Sequence, residues 1–131
     1  MSQENVNRIR AGYETLNRTG EYDVDLLSPD FELHSSLIDI AGVFHGQDAL
    51  RDVLRELHKA FDKLSYEPEK FLEAPGGEIV VFIRARGLGK GSGIETDTFM
   101  VHVWTYRNDQ AIRLVVYEEA DKALEAVGLS E

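Results

Sequence analysis

Apolar residues recur at helical spacing in two long segments of the chain. In residues 4–17, the apolar side chains from Val6 to Leu16 are three or four positions apart and form one stripe. Residues 47–61 carry a broader apolar stripe opposite a charged face. These patterns predict two amphipathic helices, with a short helical turn at residues 22–27 between them.

Alternation and β-branched content predict the strands. Two aromatic, β-branched runs flank the polar turn at residues 107–110, which is typical of a hairpin. Pro68 cannot donate a ladder hydrogen bond, so it weakens its strand or places it at a sheet edge. The remaining predicted elements are strands at 31–38, 64–72 and 78–86, a short bridge at 42–46, a glycine-rich bend at 87–93, and a final helix at 119–127.

The predicted order is helix, helix, strand, helix and then at least three consecutive strands. This order is typical of an α+β fold in which helices pack on one face of a mostly antiparallel sheet. With 131 residues and no linker or repeat, the chain is expected to form a single domain over residues 1–131.

Composition and charge narrow the possible functions. Fourteen basic residues against twenty-four acidic ones give a net charge of −10, which disfavours nucleic acid and anionic membranes as partners. The chain has no cysteine, which excludes thiol nucleophiles and disulfides. It also lacks a long apolar run and an apolar leader at its start, so a cytoplasmic location is expected.

Six stretches, in order, resemble the SnoaL-like proteins of the ketosteroid isomerase and nuclear transport factor 2 superfamily. They are YETLNRTGEYD at 13–23, LSPDFEL at 27–33, VFHGQDALR at 43–51, RARGLGKGSG at 84–93, VHVWTYR at 101–107 and YEEADKALEAVGL at 117–129. The resemblance implies a cone-shaped α+β barrel, in which a strongly curved, mostly antiparallel sheet wraps around the N-terminal helices. It also implies an apolar pocket at one end and, as is common in that superfamily, a homodimer. Members include isomerases, cyclases, hydrolases and non-enzymatic binders, so the fold alone does not settle function.

The resemblance assigns few catalytic groups. By its spacing to Gly20, Tyr13 matches the tyrosine of the isomerases, although it could equally be one more residue of the apolar stripe. Ser35 and His102 stand where the isomerases carry a catalytic aspartate and an acidic oxyanion donor, and Val116 stands where the cyclases carry an aspartate. A steroid-isomerase mechanism is therefore not expected.

The chemistry that remains is a candidate acid/base set of Tyr13, His102 and Glu118. Alternation places His102 and Trp104 on one strand face, which either lines the pocket or forms the outer surface of the sheet, where it could contact a second copy. Histidine can exchange a proton near neutral pH, which motivates the catalytic interpretation.

Further candidates line the expected pocket. Arg84 and Arg86 could hold an anionic ligand or form a surface ladder of charges. The bend at 87–93 is not a phosphate loop, because Lys90 is followed by glycine and the bend leads into a strand. The candidate pocket residues are Leu16, His34, Phe61, Phe82, Arg84, Trp104, Leu114 and Val116.

Two classes of function remain open. One is cofactor-independent acid/base catalysis on an apolar metabolite, and the other is a non-catalytic ligand-binding or dimeric interaction module. Both involve a small apolar or weakly anionic molecule. No histidine spacing typical of a metal site occurs, so neither a metal nor a cofactor is expected.

Overall fold

The described part of the chain contains three α-helices and six strands. The computed structural model describes residues 3–37 and 40–129. The elements are α1 (Gln3–Thr19), a short 3-10 helix (Val24–Leu26), β1 (Leu27–Leu37), β2 (Ile40–His45), α2 (Asp48–Ala60), β3 (Phe61–Glu73), β4 (Ile79–Gly89), β5 (Glu95–Arg107), β6 (Gln110–Tyr117) and α3 (Ala120–Ala126).

Most predicted elements are confirmed, with differences at their ends. The bridge predicted at 42–46 belongs to strand β2, which pairs antiparallel with β1. The bend predicted at 87–93 is shorter, because β4 continues to Gly89 and pairs with β5 as far as Glu95. The end of the strand predicted at 31–38 falls on Ile38, which lies outside the described residues.

The six strands form one curved sheet in the order β2-β1-β6-β5-β4-β3. Strand β1 runs parallel to β6, and every other neighbouring pair is antiparallel. Strand β3 lies at an edge, as Pro68 predicted, and its missing backbone donor fits that position. The α+β class with a mostly antiparallel curved sheet is therefore confirmed.

Helices α1 and α2 pack on the concave face of the sheet. The predicted stripe of α1 is buried there, including Ile9 and Tyr13, together with Leu50 and Leu54 of α2. Burying both apolar stripes against one sheet face forms the main core, and it brings α1 beside β3.

Helix α3 corrects the expectation that all helices share one face. Its Ala123 is fully buried on the convex face, against Val80, Val101 and Val103. The reason is that residues 79–83 are apolar without alternation, so both faces of β4 need cover.

Strand β3 is irregular at its start, where its register with β4 shifts between Asp62 and Ser65. Lys63 lies within this bulge and has a φ of 53°. The only other described non-glycine residue with positive φ is Asn108, in the turn of the β5–β6 hairpin. No helix within residues 3–37 and 40–129 is long and apolar enough to cross a bilayer.

Candidate functional site

A cavity of about 340 Å³ lies between the two N-terminal helices and the concave face of the sheet. Its apolar wall comes from α1, α2 and five of the strands, β1, β3, β4, β5 and β6. The lining side chains of aliphatic or aromatic type include Leu16, Leu33, Leu50, Val53, Leu54, Leu57, Phe61, Leu64, Trp104, Leu114 and Val116. Polar and charged residues on the wall include Ser35, Arg86, Thr96, Thr98 and Glu118.

Of the eleven candidate catalytic and pocket residues, eight line this cavity. They are Tyr13, Leu16, Phe61, His102, Trp104, Leu114, Val116 and Glu118. They come from α1, β3, β5, β6 and the residue after β6, so the sheet's curvature brings together positions far apart in the chain.

Three predicted pocket residues lie on the other face of the sheet, which corrects their assignment. Phe82 stacks on Phe99 with ring centroids 5.9 Å apart, within the convex-face cluster. Arg84 pairs with Asp97, with its Nη1 atom 3.4 Å from Oδ1. Both alternate with Ile83, which is fully buried on the concave side.

The third is His34. Its Nε2 atom lies 2.9 Å from Oε1 of Glu32, on the same side of β1. The neighbouring Leu33 and Ser35 line the cavity instead. A shift of one residue on a strand changes the face, and this accounts for all three corrections.

A chain of hydrogen bonds joins three buried side chains on the cavity wall. The indole Nε1 of Trp104 donates to the Tyr13 hydroxyl at 3.0 Å, and the Tyr13 oxygen lies 2.6 Å from Nδ1 of His102. Indole nitrogen is only a donor, so the Tyr13 hydroxyl uses its proton to donate to Nδ1. The His102 proton is thereby placed on Nε2, which lies 3.2 Å from the sulfur of Met100.

Burial keeps this group neutral. Loss of solvation lowers the pKa of His102 from 6.5 to about 3. Burial also raises the pKa of Tyr13 well above its usual range, only partly offset by the hydrogen bond from Trp104. Near neutral pH the pair therefore offers neutral hydrogen-bonding groups and no charge.

Glu118 is placed apart from the other two candidate catalytic residues. It lines the cavity but is exposed, whereas Tyr13 and His102 are buried. Among the described residues, no hydrogen bond or ion pair joins its carboxylate to either of them. The structure brings together two members of the candidate set and leaves the third at the rim.

Two aromatic side chains of the site had not been singled out. Tyr22, next to the 3-10 helix, stacks on Trp104 with centroids 5.5 Å apart, and Tyr66 of β3 lies 6.5 Å from the His102 ring. Burial raises the pKa of Tyr66 to about 12. Nothing in the local pattern around Tyr22 indicated its position, since the short helical turn has no periodicity of its own.

In the ranges 3–37 and 40–129, no three His, Asp or Glu side chains are grouped so that they could hold a metal ion.

Comparison with known proteins gives a family and a fold. The family model of the SnoaL-like domain matches residues 9–114. No curated protein matches significantly.

Solved structures with the same fold are numerous. An NTF2-like protein of unknown function from Burkholderia pseudomallei is 23% identical, with a TM-score of 0.75, over 97% of this chain and 98% of that one. A putative SnoaL-like polyketide cyclase from Jannaschia is 18% identical, with a TM-score of 0.72, over 97% and 93%. TerC, co-crystallised with polyporic acid, is 20% identical, with a TM-score of 0.73, over 94% and 96%. At these identities the similarity establishes the fold.

Proposed function

Because this chain belongs to the SnoaL-like domain family, we propose that its cavity binds a small, mostly apolar molecule. The observation that carries the proposal is the space itself, about 340 Å³ lined mainly by aliphatic and aromatic side chains. Ligand pockets commonly have about 300–1,000 Å³ and a few polar groups that orient the ligand. TerC, a fold relative, was crystallised with a small organic acid, which is consistent with such a role.

The polar contact for the ligand is the Nε2–H group of His102. In the free protein its neighbour is the sulfur of Met100, which is a weak hydrogen-bond acceptor on a flexible side chain. A ligand oxygen such as a ketone or ether would be a better acceptor. The proposed ligand therefore carries at least one acceptor oxygen near His102.

Binding without turnover fits the electrostatics better than acid/base catalysis. A general acid or base works best when its pKa lies near the working pH. The pKa of His102 is about 3 and that of Tyr13 is raised, so neither matches neutral conditions. Cofactor-independent acid/base catalysis remains a second candidate function, favoured by the 2.6 Å contact between the Tyr13 oxygen and His102 Nδ1.

The test uses the only tryptophan of the chain, which lies on the cavity wall. We expect ligands from a library of apolar ketones and ethers to change Trp104 fluorescence and raise the melting temperature in proportion to occupancy. The variant Val116→Phe, which fills the cavity, should abolish both effects. Val115→Phe, one position along on the convex face, is the matched control and should retain them.

Two outcomes would count against this function. Binding that survives in Val116→Phe would place the ligand elsewhere. Catalysis would be favoured instead if chromatography showed that the protein consumes a bound ligand and that His102→Asn no longer does so.

A further inference from the structure

A second depression, of about 300 Å³, adjoins the cavity at the start of β3. It shares Leu16, Phe61 and Leu64 with the cavity, so the same three side chains separate the two spaces. Phe61 and Leu64 are only half-buried.

The polar side of the depression is cationic in a strongly acidic protein. Lys63 and Lys90 line it, together with the ring of His58 and the carboxylate of Asp62. Lys90 Nζ lies 3.9 Å from Asp62 Oδ1, which is too long for a hydrogen bond. Within residues 3–37 and 40–129, Lys63 has no carboxylate within ion-pair distance. The formal net charge of −10 over the whole chain makes this local positive charge unusual.

Lys63 is held in an unfavourable backbone conformation. Its φ of 53° is left-handed, which is costly for a residue with a Cβ atom. Glycine is the usual residue at a left-handed position in a bulge, and asparagine is tolerated, as at Asn108. A lysine here is therefore a strained choice, and strain of this kind concentrates at functional positions.

We propose that the bound molecule is amphipathic, with an apolar body in the cavity and one anionic oxygen group, a carboxylate or a phosphate, in the depression between Lys63 and Lys90. The anionic group reaches the lysines past Phe61 and Leu64. This inference rests on the proposed binding function and specifies the class of ligand. It also explains why the bulge carries a lysine where glycine would be less strained.

The experiment compares three probes that share a decyl chain: undecanoate, decyl phosphate and 1-decanol. Dissociation constants are measured by calorimetry and by Trp104 fluorescence. We expect at least one of the two anions to bind more tightly than the alcohol, and the difference to shrink as salt is added. The tighter of the two anions identifies the head group.

Two substitutions at Lys63 distinguish the effect of its charge on binding from the effect of its backbone conformation on stability. Lys63→Gln and Lys63→Gly should each weaken binding of the anion about threefold, as expected for one exposed ion pair, and leave 1-decanol unchanged. Lys63→Gly should also melt at a higher temperature than the wild type, because the left-handed strain is removed. Lys122→Gln, which removes the same charge from α3 on the convex face, is the control and should change neither affinity.

Equal affinity of all three probes for the wild type would overturn the proposal. So would a loss of anion binding in Lys122→Gln as large as the loss in Lys63→Gln. In both cases the alcohol would still bind in the cavity, so the binding function would stand. If no probe and no library compound changed Trp104 fluorescence or the melting temperature, the binding function itself would fail.

Discussion

Acidification should destabilise this protein through His102. The folded state lowers the pKa of that ring from 6.5 to about 3 because the ring is buried. Between these two values the unfolded chain binds a proton at His102 and the folded protein does not. The stability that neutral His102 contributes is therefore fully present above the unfolded pKa of 6.5. It is lost progressively as the pH falls from 6.5 towards 3.

The size of the effect follows from the width of that window. Each pH unit corresponds to about 1.4 kcal/mol for one proton. At pH 6.5 half of the unfolded chains already carry the proton, so lowering the pH from 6.5 to 4.5 should reduce the free energy of unfolding by about 2 kcal/mol through His102 alone. That loss is a large fraction of the roughly 5–15 kcal/mol by which most domains are stable.

The assay is urea unfolding of the wild type and of His102→Asn across this pH range. The asparagine side-chain oxygen can accept a hydrogen bond from the Tyr13 hydroxyl, as Nδ1 of His102 does, but the asparagine side chain does not titrate. Carboxylates common to both proteins cancel in the difference between the two free energies. We expect the wild type to lose about 2 kcal/mol of unfolding free energy relative to His102→Asn between pH 6.5 and pH 4.5.

NMR titration of the four histidines gives an independent measurement. The ring signals of His102 should stay in the neutral form, with the proton on Nε2, down to about pH 4.5. A pKa near 6.5 for this ring, or a free-energy difference that does not vary with pH, would show that water reaches the ring. The hydrogen-bonded chain from Trp104 to Met100 would then not be sealed, and the neutral character of the site would be refuted.

Two further predictions concern how α1 is held. In Gly12→Ala the new Cβ would overlap the hydroxyl and ring of Tyr22. Chemical unfolding should therefore show a free energy of unfolding that is lower by about 1–3 kcal/mol, and adding Tyr22→Leu should restore part of it. The Asn17 side chain donates to the Tyr66 carbonyl at 2.8 Å and accepts from the Tyr66 backbone N–H at 2.7 Å. Asn17→Ala should therefore lower the free energy of unfolding by about 2 kcal/mol. An unchanged midpoint of chemical unfolding would mean that water replaces both hydrogen bonds.

Periodicity predicted the elements of the fold better than their packing. The stripes of α1 and α2 are buried as expected, because each had one apolar face and one charged face. Strand β2 was missed because its six residues include Gly42 and are too few to show alternation. The position of α3 was also missed, since seven residues give little information about which sheet face a helix covers.

At the site, the sequence could indicate which residues share a strand face but not which face is inside. His102 and Trp104 were placed together, and both line the cavity. Their face could be identified only by pairing β5 with β4 and β6, because residues on both faces of β5 are buried.

The same limit explains why the bulge that contains Lys63, at the start of β3, has no signature in the sequence. A register shift exists only relative to a partner strand, and β4, the partner of β3, lies more than ten residues further along the chain. Left-handed backbone is usually inferred from glycine or asparagine, and at residue 63 the chain carries neither. Strain at an unsuitable residue is visible only in the structure, and at this bulge it coincides with a lysine that has no ion pair among the described residues and lines a depression beside the cavity. The coincidence of these two features, each unfavourable alone, favours a binding role for Lys63 over an accident of packing.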